Sequence, residues 1–138
     1  MREINPGTFV KLQFQPRVCL DDPPTFKYLF MSFEAVKRGF LEGCRPFIGV
    51  DGCFLKGPFG GVLLSVVALD GNRGVLPITF AIVDFECTES WKFFMDCLQQ
   101  CIGTEHNSTP YTFMSDRQKV NTIQLFFLIS VVHFIIFN

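Results

Sequence analysis

The chain has 138 residues, a net charge of −1 and a composition that is 49% hydrophobic, with 18 phenylalanines. That length suits one domain with a real core. The near-neutral charge excludes a domain that binds nucleic acid through a global basic excess, though not one with a local basic patch.

Taken in chain order, Asn5-Pro6-Gly7 reads as a turn followed by a short extended piece, and Asp21-Asp22-Pro23-Pro24 as a loop. Phe26 to Phe33 is aromatic-rich and strand-like. Glu34 to Leu41 reads as a short helix ending near Gly43, and Cys44-Arg45-Pro46 as a connector. Phe47 to Leu55 is a strand, Lys56 to Gly61 a hairpin tip, and Val62 to Leu69 a second strand dense in β-branched residues. Asp70 to Gly74 is a turn in which Gly and Asn are expected to supply positive φ. Val75 to Phe85 is a third strand, with Pro77 predicting an edge position or an early bend. Two short turns between three such runs make an antiparallel meander.

The period then changes. Trp91, Phe94, Met95, Leu98, Cys101 and Ile102 form the apolar stripe of an amphipathic helix from Glu89 to Ile102. Thr88 or Ser90 is expected to cap it and Gly103 to end it. Trp91 is read as a packing residue. After a polar loop, Tyr111 to Ser115 is a fourth strand with Asp116 at its end. The order β-β-β-α-β allows strand four to return parallel to strand one by a right-handed crossover. Asp51 and Asp116 then approach each other despite their distance in sequence.

Six cysteines, at 19, 44, 53, 87, 97 and 101, form no CxxC pair and complete no zinc set. With no apolar signal core in the first twenty residues, they are expected to be free, reduced and mostly buried, in the cytosol or nucleus. The run LFFLISVVHFIIF from Leu125 to Phe137 is thirteen residues long, short of a membrane span. It reads as a buried strand or helix, or as divergent sequence, and His133 within it as a core histidine.

Asp51 stands inside an apolar run, in the frame GVDG. Asp-Gly is frequently a turn, and Asp116 followed by Arg117 is frequently a surface ion pair. The other reading is chemical. Two carboxylates brought close repel each other unless one is protonated or a cation sits between them. Oxygen ligands on strands suit Mg²⁺ or Mn²⁺, and the glycines beside Asp51 would leave room for a substrate backbone or a hydrated ion. Strand alternation puts Asp51 on one face with Phe47, Gly49, Cys53 and Leu55, and the hairpin that follows argues against a turn at Asp51-Gly52.

The run GFLEGCRPFIGVDGCFLKGPFGGVLL (39–64) resembles the signature of the plant Mutator-like element (MULE) transposase domain. DGNRGVLPITFAIVDFECTESWKFF (70–94), MSDRQK (114–119) and NPGTFVKL (5–12) resemble other segments of that family, in the same order. The resemblance covers about residues 3–119. It implies an α/β, ribonuclease H-like fold: three antiparallel strands, a helix, then a strand parallel to the first, incomplete at the C-terminus. It implies an N-terminal extension over 1–25, a partial transposase domain over 26–119 and an apolar divergent tail over 120–138. It also implies a DDE-type transposase that cleaves DNA and transfers strands with Mg²⁺ or Mn²⁺. By position, Asp51 and Asp116 are the first two catalytic carboxylates and metal ligands. Lys56, Arg117 and Lys119 are candidate contacts to DNA phosphate. The implied partner is DNA at transposon ends and the implied compartment is the nucleus; homo-oligomers are left open and a membrane is not expected.

The pattern departs from the family after Asp116. No Asp or Glu follows that residue, so the third catalytic carboxylate is missing from these residues. The upstream zinc-type DNA-binding module and the downstream zinc knuckle expected of full-length relatives are also absent. The expectation is a truncated or mis-spliced copy that retains two acids of three and is inactive alone. The alternative is a transposase-derived, non-catalytic DNA- or protein-binding regulator.

Overall fold

The computed structural model describes residues 4–103, 111–116 and 133–137. They form a mixed α/β unit with the element order β1 (Phe9–Phe14), β2 (Phe26–Ser32), α1 (Glu34–Gly43), β3 (Cys44–Phe54), β4 (Val62–Asp70), β5 (Val75–Val83), α2 (Thr88–Ile102), β6 (Thr112–Asp116) and β7 (His133–Phe137). The strands make one sheet in the order β1-β2-β5-β4-β3-β6-β7. β3, β4 and β5 are an antiparallel meander. β6 lies parallel to β3, and β7 parallel to β6. A parallel neighbour cannot be reached by a tight turn, and α2 supplies the crossover between β5 and β6.

The period-two pattern of β4 decides which face packs. Val62, Leu64, Val66 and Ala68 are buried, while Leu63, Ser65 and Val67 between them are half-buried. Ile48 and Val50 of β3 share the buried face, together with Tyr28 and Phe30 of β2. α2 lays its stripe over these side chains. Phe94 meets Phe30 with ring centroids 5.7 Å apart and Trp91 at 5.8 Å. α1 joins the same core through Phe40, whose ring lies 5.8 Å from that of Tyr111. On the other face, Met31, Phe33, Val36, Leu63, Ser65 and Phe80 line an apolar groove of about 460 Å³.

Several details differ from the sequence-based expectation. Cys44-Arg45-Pro46 is the start of β3 and not a connector: Cys44 pairs with Asp70, across an irregularity that ends at Ile48. In the turn after β4 it is Arg73, with φ 68°, that takes the left-handed conformation, and neither Gly nor Asn does. Asp70 makes this tolerable, because its carboxylate accepts the N–H groups of Asn72 and Gly74 and holds the turn from outside. Pro77 sits at a bulge where Val66 pairs with Thr79 and Val67 with Pro77. β2 stops pairing at Thr79, so at Pro77 the strand pairs with β4 alone, across an irregularity of the kind that tolerates proline.

Neither Thr88 nor Ser90 is the N-cap of α2. Cys87 is. Its Sγ accepts from the Ser90 N–H at 3.4 Å, and Ser90 Oγ accepts from the Cys87 N–H at 2.9 Å. This is a capping box with a thiol in the place usually held by a hydroxyl. The cysteines are free but not mostly buried: Cys97 and Cys101 are, Cys44 and Cys87 are half-buried, and Cys19 and Cys53 are exposed. Among the described residues no helix is long and apolar enough to cross a membrane.

The β3–β4 hairpin is held by the Leu55 N–H to Gly61 O bond (2.9 Å) and the Gly60 N–H to Gly57 O bond (3.1 Å). Gly61 has φ +97°, and a Cβ there would lie 2.9 Å from the carbonyl oxygen of Val83 on β5. Both the backbone conformation and the close approach require glycine. Gly61→Ala is therefore expected to destabilise the domain by about 1–3 kcal/mol, read as a lower urea midpoint, with Gly57→Ala at an uncrowded position as the control that stays near wild type.

Candidate metal and nucleic-acid site

Asp51 lies near the C-terminal end of β3, on the face opposite the core, and it is exposed. Its neighbours Val50 and Gly52 point the other way. Asp51 Oδ1 accepts the N–H of Gly52 at 2.8 Å. Across the hairpin Asp51 pairs with Ser65, whose Oγ reaches the Asp51 carbonyl at 3.5 Å. Ser65 is the only polar residue between Val62 and Leu69. That interruption is a signal in the sequence for a polar patch opposite Asp51, and the residue-by-residue reading did not use it.

The parallel pairing of β3 with β6 runs Phe47 to Thr112, Ile48 to Phe113 and Gly49 to Met114. The pairs end there; carried two residues further, the same register would set Asp116 level with Asp51. Neighbouring strands are about 4.8 Å apart. Two acids at one level of adjacent strands cannot both hold an isolated charge without a counter-charge.

The glycines flanking Asp51 do not open space for a substrate. A Cβ at Gly49 would lie 3.1 Å from Val67 Cγ2 on the open face, and one at Gly52 would lie 3.1 Å from Leu64 Cδ2 and 3.6 Å from Trp91 Cζ2. Both glycines are packing positions, and the second admits the indole. Trp91 is 3% exposed, and its Nε1–H donates to Glu86 Oε1 at 3.0 Å. Glu86 was not singled out from sequence; its role is to satisfy the one polar atom of a buried tryptophan.

Lys56 is exposed on the hairpin tip and makes no ion pair among the described residues. Arg117 and Lys119, the other candidates for phosphate contact, lie outside the described residues, as does Val120. His133 is the first residue of β7, at the register of Thr112. Among the described residues no group of three or more His, Cys, Asp or Glu side chains is placed to hold a metal ion. Cys97 and Cys101 are no exception: burial pushes both thiols up, Cys97 to about 11, and a protonated thiol is a poor ligand.

The sequence profile of the MULE transposase domain matches residues 47–130. The match begins at the strand that carries Asp51, takes in Asp116, and runs past Lys119 into the apolar segment. No curated protein and no solved structure matches the chain significantly. The profile spans more than half of the chain, from the hairpin through the helix to the second acid, and the chain belongs to the MULE transposase domain family.

Proposed function

We propose that this domain is the catalytic core of a DDE-type transposase with a ribonuclease H-like fold, in which Asp51 and Asp116 together hold Mg²⁺ or Mn²⁺. The observation that carries this reading is the parallel pairing of β3 with β6, whose register, extended two residues past its last pair, would set the two acids level. The donor set suits a hard cation: both ligands are carboxylates, and the one whose side chain is described faces solvent, where the ion can keep its waters. Bound there, such an ion would polarise a phosphodiester oxygen and lower the pKa of a water or a 3′-hydroxyl. Asp51 and Asp116 orient the ion. Lys56, Arg117 and Lys119 are the residues for DNA phosphate, at transposon ends and in the nucleus of a plant cell.

No Asp or Glu follows Asp116, so these residues supply two carboxylates and not three. Removing one member of a cooperating set lowers rates by several orders of magnitude, and we place the chain by itself among the inactive forms. The same observation favours a second reading, a transposase-derived regulator that binds DNA or protein without cutting.

Titration with Mn²⁺, followed by the loss of its free paramagnetic resonance signal, tests the pair. Asp51→Asn is expected to weaken binding at least tenfold, about 1.4 kcal/mol. Equal affinity in the two proteins would sink the metal site. DNA binding that is indifferent to Asp51→Asn, beside a lost metal site and no cleavage, would favour the regulator.

A further inference from the structure

The turn at the tip of the β3–β4 hairpin, the hairpin that carries Asp51, displays an aromatic ring to solvent. Phe59 is 98% exposed, and Phe54, on the same hairpin, is 79% exposed. Phe85, 59% exposed, follows the end of β5, whose Val83 carbonyl touches the hairpin at Gly61. β3 and β5 both run antiparallel to β4, so their C-terminal ends share one edge of the sheet. Three exposed phenylalanines thus stand toward the end of the sheet into which β3 runs past Asp51. Scattered apolar residues on a surface need no explanation, but a group beside a polar site does.

The backbone that carries Phe59 is fixed by its turn. Gly57 to Gly60 is a β-turn closed by the Gly60 N–H to Gly57 O bond. Pro58 holds the second position, where its fixed φ suits the turn, and Phe59 holds the third. Gly61 locks the return strand against β5. Lys56, one residue before the turn, adds a positive charge. The two carboxylates on the segment after β5 are each engaged by a side-chain donor: Asp84 accepts from Gln15 Nε2 at 2.8 Å and Glu86 from Trp91 Nε1 at 3.0 Å. An aromatic ring carried on a hydrogen-bonded turn near a cation suits a nucleic-acid strand with an unstacked base, since every base has a π-face and every link a phosphate. Pre-organisation lowers the entropy lost on binding.

The geometry points to Phe59 as a base-stacking residue that holds an unpaired nucleotide at the hairpin tip, beyond Asp51 on the same hairpin, with Lys56 on the adjoining phosphate. This inference rests on DNA being the substrate class, and it is independent of whether the acids bind metal.

The probe is a DNA duplex with a three-nucleotide single-stranded gap carrying 2-aminopurine, compared with the continuous duplex, in EDTA at low salt. The unsubstituted chain is expected to bind the gapped duplex more tightly and to quench the 2-aminopurine. Phe59→Ala is expected to lose about 5- to 100-fold in affinity for the gapped duplex, to abolish the quench, and to leave binding to the continuous duplex and the thermal melt unchanged. Phe59→Trp should retain both signals. Lys56→Ala should weaken binding to both duplexes alike and flatten the salt dependence. Wild-type affinity and quench in Phe59→Ala would overturn the assignment, as would no preference for the gap or no DNA binding at all. Failure of the metal site would appear separately, in the Mn²⁺ titration of Asp51→Asn.

Discussion

Phe94→Ala is expected to destabilise the domain by about 3–5 kcal/mol. Phe94 is fully buried, in the middle of α2, and its ring meets Phe30 on the sheet and Trp91 one helical turn earlier. Truncation removes the transfer free energy of the ring and leaves a cavity between a helix and a sheet that cannot both collapse into it. The aromatic contacts add a smaller increment of about 1 kcal/mol. A domain of this size has about 5–15 kcal/mol in total, so the substitution removes a large part of its stability. Urea denaturation followed by far-ultraviolet circular dichroism should show a much lower midpoint with an unchanged slope. A loss below about 1 kcal/mol would mean that α2 does not pack on the sheet as described.

The second large effect is alkaline. Burial pushes the thiol of Cys97 from the ordinary 9.0 up to about 11. The folded state therefore binds that proton more tightly than the unfolded state. The contribution is fully present below pH 9 and is lost as the pH rises from about 9 towards 11. Two units correspond to about 3 kcal/mol. Burial raises Cys101 and Tyr28 in the same direction, and the hydrogen bond that Lys27 donates to the Glu89 carboxylate raises Lys27. Each of these adds to the alkaline loss, because in each the protonated form is favoured by folding. Urea midpoints measured from pH 8 to 11 should fall steeply in the wild type and less steeply in Cys97→Ala. Parallel slopes in the two proteins would contradict the assignment of this limb to Cys97.

The elements most legible in the sequence were those with a strong period. The stripe of α2, the alternation of β4 and the turn residues between β3, β4 and β5 each point to one structure. The parallel placement of β6 beside β3 followed from topology, because a crossover helix between like-directed strands leaves few places for β6. What could not be read locally depends on partners distant in sequence. Cys44 belongs to a strand because Asp70 pairs with it, and nothing in CRP reveals that. Cys87 caps α2 because Ser90 reciprocates, although a thiol is a weak acceptor that propensity does not favour. Arg73 adopts a left-handed conformation because Asp70 braces the turn. The glycines around Asp51 looked like space and proved to be the seats of Val67, Leu64 and Trp91. Arg117 and Lys119 remain candidates from sequence alone, beyond the described residues.

The sheet has two unlike faces, and this leaves a mark on how the sequence can drift. Along β4, Leu64, Val66 and Ala68 answer to the volume of α2, so substitutions there are restricted by size. Leu63, Ser65 and Val67 answer only to what meets the opposite side. Tolerance to substitution should alternate along the strand with a period of two, and variation among copies of this domain should collect at the odd positions of β4 while the even positions stay within a narrow range of volume. A polar residue that persists at position 65 against that drift would then record selection for the surface around Asp51, and not for the core.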